Sequence, residues 1–295
     1  MRKGAFFIFL AAMSWGTLPI WTKFLYQNGA TALEAAAMRA YLAAVIYLIV
    51  FGAIKRSLSS VTLKDLPFYL VFGAITITGI FVFFSLALKE LSSAMSVILL
   101  YTAPAFVTVL SRFIYKEKIF GRKLAGLLLT VAGCFLVVKG YDLSQMRGSL
   151  LGIFYGLMSG LCYSMLTIIG KKGVLRHSPQ VNSTMNTTCG ALVFFLVCPP
   201  WTVSVGSPEI FVFFLGLAVF GTVFPSLFYF IGLDSGLDRG QASILASLEP
   251  VFAAIYSYFL LQEALVAPQI LGLAMTLLGA ILPATKSNRP VESSA

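Results

Sequence analysis

Charge is scarce in this chain of 295 residues: Asp, Glu, Lys and Arg together make up 11% of it, where a soluble domain carries roughly 25%. Histidine occurs once, as His177, in a stretch expected to be a solvated loop. The apolar segments hold no Ser-His pair, no paired aspartates and no cluster at metal-ligand spacing, so hydrolysis and group transfer have no visible machinery. The chain also lacks a GxxxxGK[ST] phosphate loop, which disfavours ATP-driven pumping within it. The four cysteines, Cys134, Cys162, Cys189 and Cys198, all fall in apolar runs and show neither zinc-site nor secreted-domain spacing. No enzyme activity, metal or cofactor is expected.

Apolar sequence fills the space. Hydrophobic residues are 59% of the chain and the mean hydropathy is +0.91, the values of an all-α polytopic membrane protein whose partner is the lipid bilayer. Ten apolar segments are predicted, at about 4–24, 34–54, 67–88, 93–115, 121–138, 148–170, 181–200, 209–233, 240–261 and 267–284. A run of about 20 apolar residues spans a bilayer. The net charge of +10 does not point to nucleic acid, because the basic residues cluster in short loops. With the N-terminus in the cytoplasm, sixteen Lys and Arg face inward and four (Lys23, Lys89, Lys139 and Arg147) face outward. That asymmetry places both termini in the cytoplasm. The first segment has a basic start but no small-residue cleavage site, so it reads as the first helix rather than a signal peptide.

An internal repeat is present. Sliding the chain by 146 residues aligns Pro104 with Pro250, Glu117 with Glu263, Gly126 with Gly272, Thr130 with Thr276 and Gly133 with Gly279. Residues 1–145 then form a first five-helix repeat, 146–285 a second, and 286–295 a short cytoplasmic tail. An odd number of spans per repeat forces the second to enter the membrane upside down. Inverted repeats place a substrate site at their interface and permit alternating access.

The two five-helix repeats, the Ser14-Trp15-Gly16 step with Lys23 ending segment 1, the Leu248-Glu249-Pro250 motif, and Glu117 and Glu263 after segments 4 and 9 resemble the EamA-type branch of the drug/metabolite transporter superfamily. The resemblance covers nearly the whole chain. It implies a central cavity lined mainly by segments 1, 3, 4, 6, 8 and 9, with segments 5 and 10 peripheral. It also implies a bacterial plasma-membrane carrier, with amino acids or related metabolites as exported substrates.

Glu249 is the one carboxylate predicted deep in a span, roughly 13 Å into segment 9, and its repeat counterpart is Ala103. A carboxylate there must be paired, neutralised or facing water. Pro250 adds a second irregularity, freeing the carbonyl of Ala246 four residues back. Glu249 is read as a site for a substrate ammonium group or a proton; the alternative is a fixed ion pair with Arg39 that tethers segment 9 to segment 2. Arg39 itself lies near the outer end of its span, within reach of the interface. Asn182 and Asn186 share one face of segment 7 and either line the inner mouth of the cavity or bond across to a neighbouring helix.

Pro19, Gly79, Pro104, Pro225 and Pro250 mark candidate hinges, those in segments 3, 4, 8 and 9 at matched depth. Glycines at 148, 152, 156 and 160, and the pairs Gly126/Gly133 and Gly272/Gly279, are expected to be packing stripes. Among the aromatic residues, Trp15, Tyr101 and Tyr229 are the preferred substrate contacts, ahead of Trp21, Phe83, Phe84, Tyr163 and Phe228. The expected function is secondary transport of a small metabolite, most simply amino-acid export by alternating access. The alternatives are uptake or exchange of a nucleobase or organic cation, and, further off, an intramembrane enzyme.

Overall fold

The computed structural model describes residues 3–54, 57–117, 119–142, 149–203, 206–262 and 264–282. Arg147, Gly148, Glu263 and the tail 286–295 lie outside the described residues. The fold is all-α, and among the described residues seven helical rods are long and apolar enough to cross a membrane.

The first rod, Lys3–Gln27, is two helices, α1 (Lys3–Trp15) and α2 (Leu18–Gln27). Helix α3 (Ala32–Tyr47) starts with a capping box in which Thr31 accepts from the Glu34 N–H and Glu34 accepts from the Thr31 N–H. It continues through a π-helical stretch, Leu48–Ile54. The third rod joins α4 (Leu66–Gly73) to α5 (Ile80–Glu90) through a π-helical segment, Ala74–Gly79. The fourth is α6 (Ser93–Leu100) and α7 (Ala103–Tyr115), broken at Tyr101–Thr102. Helices α8 (Gly121–Val137), α9 (Leu150–Val174) and α10 (Pro179–Phe194) follow. Then come α11 (Pro208–Ala218) and α12 (Phe224–Asp234), joined by a π-helical segment, Val219–Val223. The chain closes with α13 (Arg239–Ala246), α14 (Glu249–Leu261) and α15 (Ala267–Ile281).

Proline explains where the rods break. Pro19, Pro104 and Pro250 each stand in the first turn of α2, α7 and α14, where a missing N–H removes no intrahelical bond. The expectation of one orphaned carbonyl at Ala246 inside a continuous helix is therefore corrected. The helix stops at Ala246 and restarts at Glu249, with the N–H groups of Val251 and Phe252 both turned to the Leu248 carbonyl. Gly79 instead closes one π-helical segment and Pro225 follows the other, where a wider turn absorbs the irregularity. Helices α7 and α14 both end on a left-handed residue, Lys116 (φ 55°) and Gln262 (φ 56°).

Segment 7 is shorter than expected: α10 ends at Phe194, ahead of the Pro199-Pro200 pair, rather than near residue 200. With α3, α8 and α15 it is one of four helices of 15 to 17 residues, of which α3 alone runs on into a π-helical stretch. The glycine stripes pack as expected. Positions 133 and 272 bring α8 and α15 together so closely that a Cβ at Gly272 would stand 2.6 Å from the Gly133 carbonyl oxygen. Gly156 and Gly160 receive Leu99 and Thr102 of the broken fourth rod. All four cysteines are buried and free.

Candidate functional site

The helix breaks meet around one cavity of about 880 Å³, within the range of small-molecule sites. Its inner wall is Trp15, Tyr101, Tyr163 and Glu249, and its lining runs outward to Tyr26, Ala32, Lys139 and Leu265. Those outer residues stand at the loops of a single end of the bundle, so the cavity opens there.

Glu249 occupies the first position of α14, where the positive end of the helix dipole favours a carboxylate. The Tyr163 hydroxyl donates to Glu249 Oε2 at 3.3 Å, and Tyr101 interacts with the same carboxyl group. Trp15 is fixed by its own indole, which donates to the Gly221 carbonyl at 3.1 Å, and it meets Tyr163 edge to face at 6.4 Å. The Ser14-Trp15-Gly16 step has a packing reason too. A Cβ at Gly16 would collide with Phe252 and lie 3.0 Å from the Ala253 nitrogen, so only glycine lets the broken first rod seat against α14.

Arg39 lines the same cavity from α3 and is 7% exposed. Its guanidinium lies 4.0 Å over the Phe81 ring. Among the described residues no carboxylate stands within 4 Å of it, so Arg39 and Glu249 form no contact ion pair, although their charges act on one another across the cavity. Segment 2, outside the expected lining, forms a full wall through Arg39, Ala35, Ala36 and Ala40.

Three expected contacts move out of the cavity. Tyr229 stands behind Trp15, with ring centroids 5.6 Å apart, and shares a 2.6 Å hydrogen bond with Thr167. Asn186 accepts from Thr76 Oγ1 at 2.9 Å. Asn182 is fully buried against Gly173 of α9, where a Cβ would collide with its amide oxygen. The polar run of α10 thus turns inward to neighbouring helices. Of the other aromatic residues, Phe84 and Tyr163 line the cavity, Trp21 stacks on Phe220, and Phe83 packs on Tyr155. Pro19 and Pro250 line the cavity directly.

The opposite end is shut by charges that the sequence reading treated as loop residues. Lys123, fully buried in α8, lies 2.6 Å from Asp238 and 3.4 Å from Glu117. Arg239 reaches Glu117 at 2.7 Å and sits 3.5 Å over the Tyr115 ring. Lys171 donates to the Leu233 carbonyl beside them. Gly240 makes room, since a Cβ there would collide with the Lys123 side chain. His177 is also tied down rather than solvated, with Nδ1 3.1 Å from the Tyr69 hydroxyl and Nε2 3.7 Å from Asp65. Burial, then hydrogen bonding with Asp238, pushes the Glu117 carboxyl up. For Asp238 burial works the same way but is outweighed by hydrogen bonds with Glu117 and Lys123 and by the Lys123 charge, which hold its carboxyl below the usual range.

Fold and site together define a multi-pass helical membrane protein built around one solute-sized cavity, the architecture of a transporter. The sequence model of the EamA-like transporter family matches residues 2–139 and again residues 150–285; the chain belongs to that family. An uncharacterized transporter of Archaeoglobus fulgidus is 27% identical over 282 residues, covering 96% of both chains. The uncharacterized inner membrane transporter YicL of Salmonella typhimurium is 24% identical, covering 98% of this chain and 97% of its own. A solved crystal structure superposes with a TM-score of 0.82 at 18% identity, covering 96% of this chain and 97% of that one. That likeness is one of fold.

Proposed function

We propose that this transporter is a secondary carrier that exports amino acids or related small metabolites by alternating access and has no enzymatic activity. The observation that carries the reading is a half-buried carboxylate at the start of a half-helix, inside a cavity open at one end of the bundle and closed by ion pairs at the other. Glu249 binds the substrate ammonium group. Trp15, Tyr101 and Tyr163 pack its side chain, with Tyr229 holding Trp15 in place from behind. The interruptions near Pro19, Gly79, Pro104, Pro225 and Pro250 serve as hinges.

The proposed architecture is ten spans in two inverted repeats, residues 1–145 and 146–285, followed by a tail at 286–295. Supporting it are the two matches of the family model, the paired π-helical segments at 74–79 and 219–223, the paired breaks at 101–102 and 247–248, and the left-handed ends at Lys116 and Gln262. The seventeen residues of α8 reach about 25 Å at 1.5 Å each, close to a bilayer core. The basic residues favour cytoplasmic termini, so the open cavity faces outward in a plasma membrane. Export as the direction rests on the family resemblance.

The test is thermal stability of purified wild type and Glu249→Gln against amino acids, nucleobases and organic cations, followed by flux in liposomes. A ligand at about a hundred times its Kd stabilises by roughly 2.7 kcal/mol. Amino-acid stabilisation of wild type and not of the variant supports the reading; equal stabilisation of both removes Glu249 as the ammonium site.

A further inference from the structure

Arg39 presents a chemical problem that Glu249 does not. Glu249 has a hydroxyl donor and a helix N-terminus, whereas Arg39 carries five N–H donors and makes no hydrogen bond or ion pair among the described residues. It is 7% exposed, on the wall of the cavity, and its one close partner is the face of Phe81 at 4.0 Å. An aromatic face attracts a cation but accepts none of the guanidinium's in-plane hydrogen bonds. A buried charge without a partner is expensive and is retained in a membrane protein where something in the working cycle compensates it. The Phe81 ring and the approach of the Arg39 stem to Gly221, where a Cβ would stand 3.5 Å from its Cδ, hold the fork in place with its N–H groups unused.

We infer that Arg39 is the anion subsite of the cavity, docking the carboxylate of a substrate whose ammonium group sits at Glu249, so that the substrate class is a compact zwitterion. This rests on the proposed role of Glu249 and narrows it. Apart from Lys139, exposed at the rim, the lining carries one cation, the buried Arg39, and one carboxylate, the half-buried Glu249. An organic cation answers Glu249 but is repelled by Arg39. A simple carboxylic acid answers Arg39 but meets Glu249. A neutral nucleobase compensates neither. A zwitterion compensates both and leaves the cavity neutral. A planar guanidinium also matches a carboxylate with two parallel hydrogen bonds, which a lysine at this position would not reproduce. The cavity wall also carries apolar residues, Ile77, Phe81 and Phe84, which with Trp15, Tyr101 and Tyr163 enclose the substrate side chain.

Matched probe sets separate the groups: phenylalanine, its amide, 2-phenylethylamine and 3-phenylpropionate, with the corresponding leucine series. Binding is measured on purified full-length protein by calorimetry, with wild type, Arg39→Gln and Arg39→Lys each confirmed as monodisperse. For wild type the amino acid is expected to bind at least about thirty-fold more tightly than its amide or amine, the scale of leaving a buried charge unpaired. Arg39→Gln is expected to erase that preference while still binding the amine, and Arg39→Lys to restore part of it. Equal binding of amine and amino acid by wild type, or a preference that survives Arg39→Gln, overturns the inference and leaves the ammonium site at Glu249 standing. No binding by any probe of either series overturns the amino-acid reading and the inference with it.

Discussion

Removing Lys123 tests whether charge holds one end of this transporter shut. Its ammonium group is fully buried between Asp238, 2.6 Å away, and Glu117, 3.4 Å away. Truncating one partner of a buried pair costs about 3–5 kcal/mol. Asp238 keeps 28% of its side chain exposed, so water recovers part of the loss and about 2–3 kcal/mol is the expected penalty on the closed state. At 1.4 kcal/mol per factor of ten, Lys123→Ala shifts the ratio of closed to open forms by about 30- to 150-fold. The reporter is a single cysteine at Ser243, a buried position of α13 between the ion pairs and the cavity, in a variant whose four native cysteines are replaced. Labelling by an impermeant thiol reagent applied from the closed end is expected to accelerate by the same factor. Gly240→Ala is an independent perturbation, because it keeps every charge and displaces Lys123 by collision. Labelling rates within about twofold of the parent in both variants, with Lys123 and Asp238 uncoupled in a double-mutant cycle, would refute the reasoning.

The closed end is also expected to respond to acid. Asp238 has a carboxyl held below its ordinary value of 3.8; a depressed pKa adds stability that is present above the ordinary value and lost as pH falls through the depressed one. Thermal melting below about pH 4 should therefore fall more steeply for wild type than for Asp238→Asn. Gly272→Val forces a side chain against the Gly133 carbonyl and is expected to destabilise by about 1–3 kcal/mol. Its melting temperature should drop by several degrees, read by thermal unfolding of the purified protein. Tyr163→Phe deletes the donor to Glu249 and is expected to weaken amine binding about tenfold, the worth of a hydrogen bond to a charged group. Tyr229→Phe breaks only the bond with Thr167 and should leave calorimetric affinity within about twofold.

That Glu249 would stand at a cavity was legible in the sequence because a carboxylate ten residues into an apolar run must be paired, neutralised or facing water, and the breaks were legible because proline sets its own backbone rules. What could not be read was rotation about a helix axis. The spacing of Asn182 and Asn186 places them on one face, but the side that face turns to is decided by Gly173 and Thr76 on other helices. Tyr229 was misplaced for the same reason: its neighbour Trp15, far away in sequence, occupies the cavity wall in front of it. Arg39 could be seen as a charge in a span, while its having no hydrogen bond or contact ion pair among the described residues is a property of the packed bundle alone. Two ion pairs of the closed end, Lys123–Asp238 and Arg239–Glu117, join residues more than a hundred positions apart, and each member taken singly is an ordinary loop charge.

The proposed repeat makes the chemistry of the two ends comparable position by position. On the slide of 146 residues, Lys123 corresponds to Gln269, and Asp238 and Arg239 to Ser92 and Ser93. At the open end these neutral residues bond to backbone: Ser92 accepts from the Met95 N–H, and Gln269 donates to the Val137 carbonyl at 2.8 Å. If the proposed repeat lets the two halves exchange conformations, the same backbone segments come together at that end without counterparts of Lys123, Asp238 and Arg239, a difference that favours the present conformation. A ligand moves such an equilibrium only by its difference in affinity for the two states. Enclosing a zwitterion compensates Arg39 and Glu249 at once, in a cavity where leaving either unpaired costs several kcal/mol. That gain is of the size needed to offset the loss of the Lys123 contacts, which makes opening of the closed end conditional on a substrate that carries both charges.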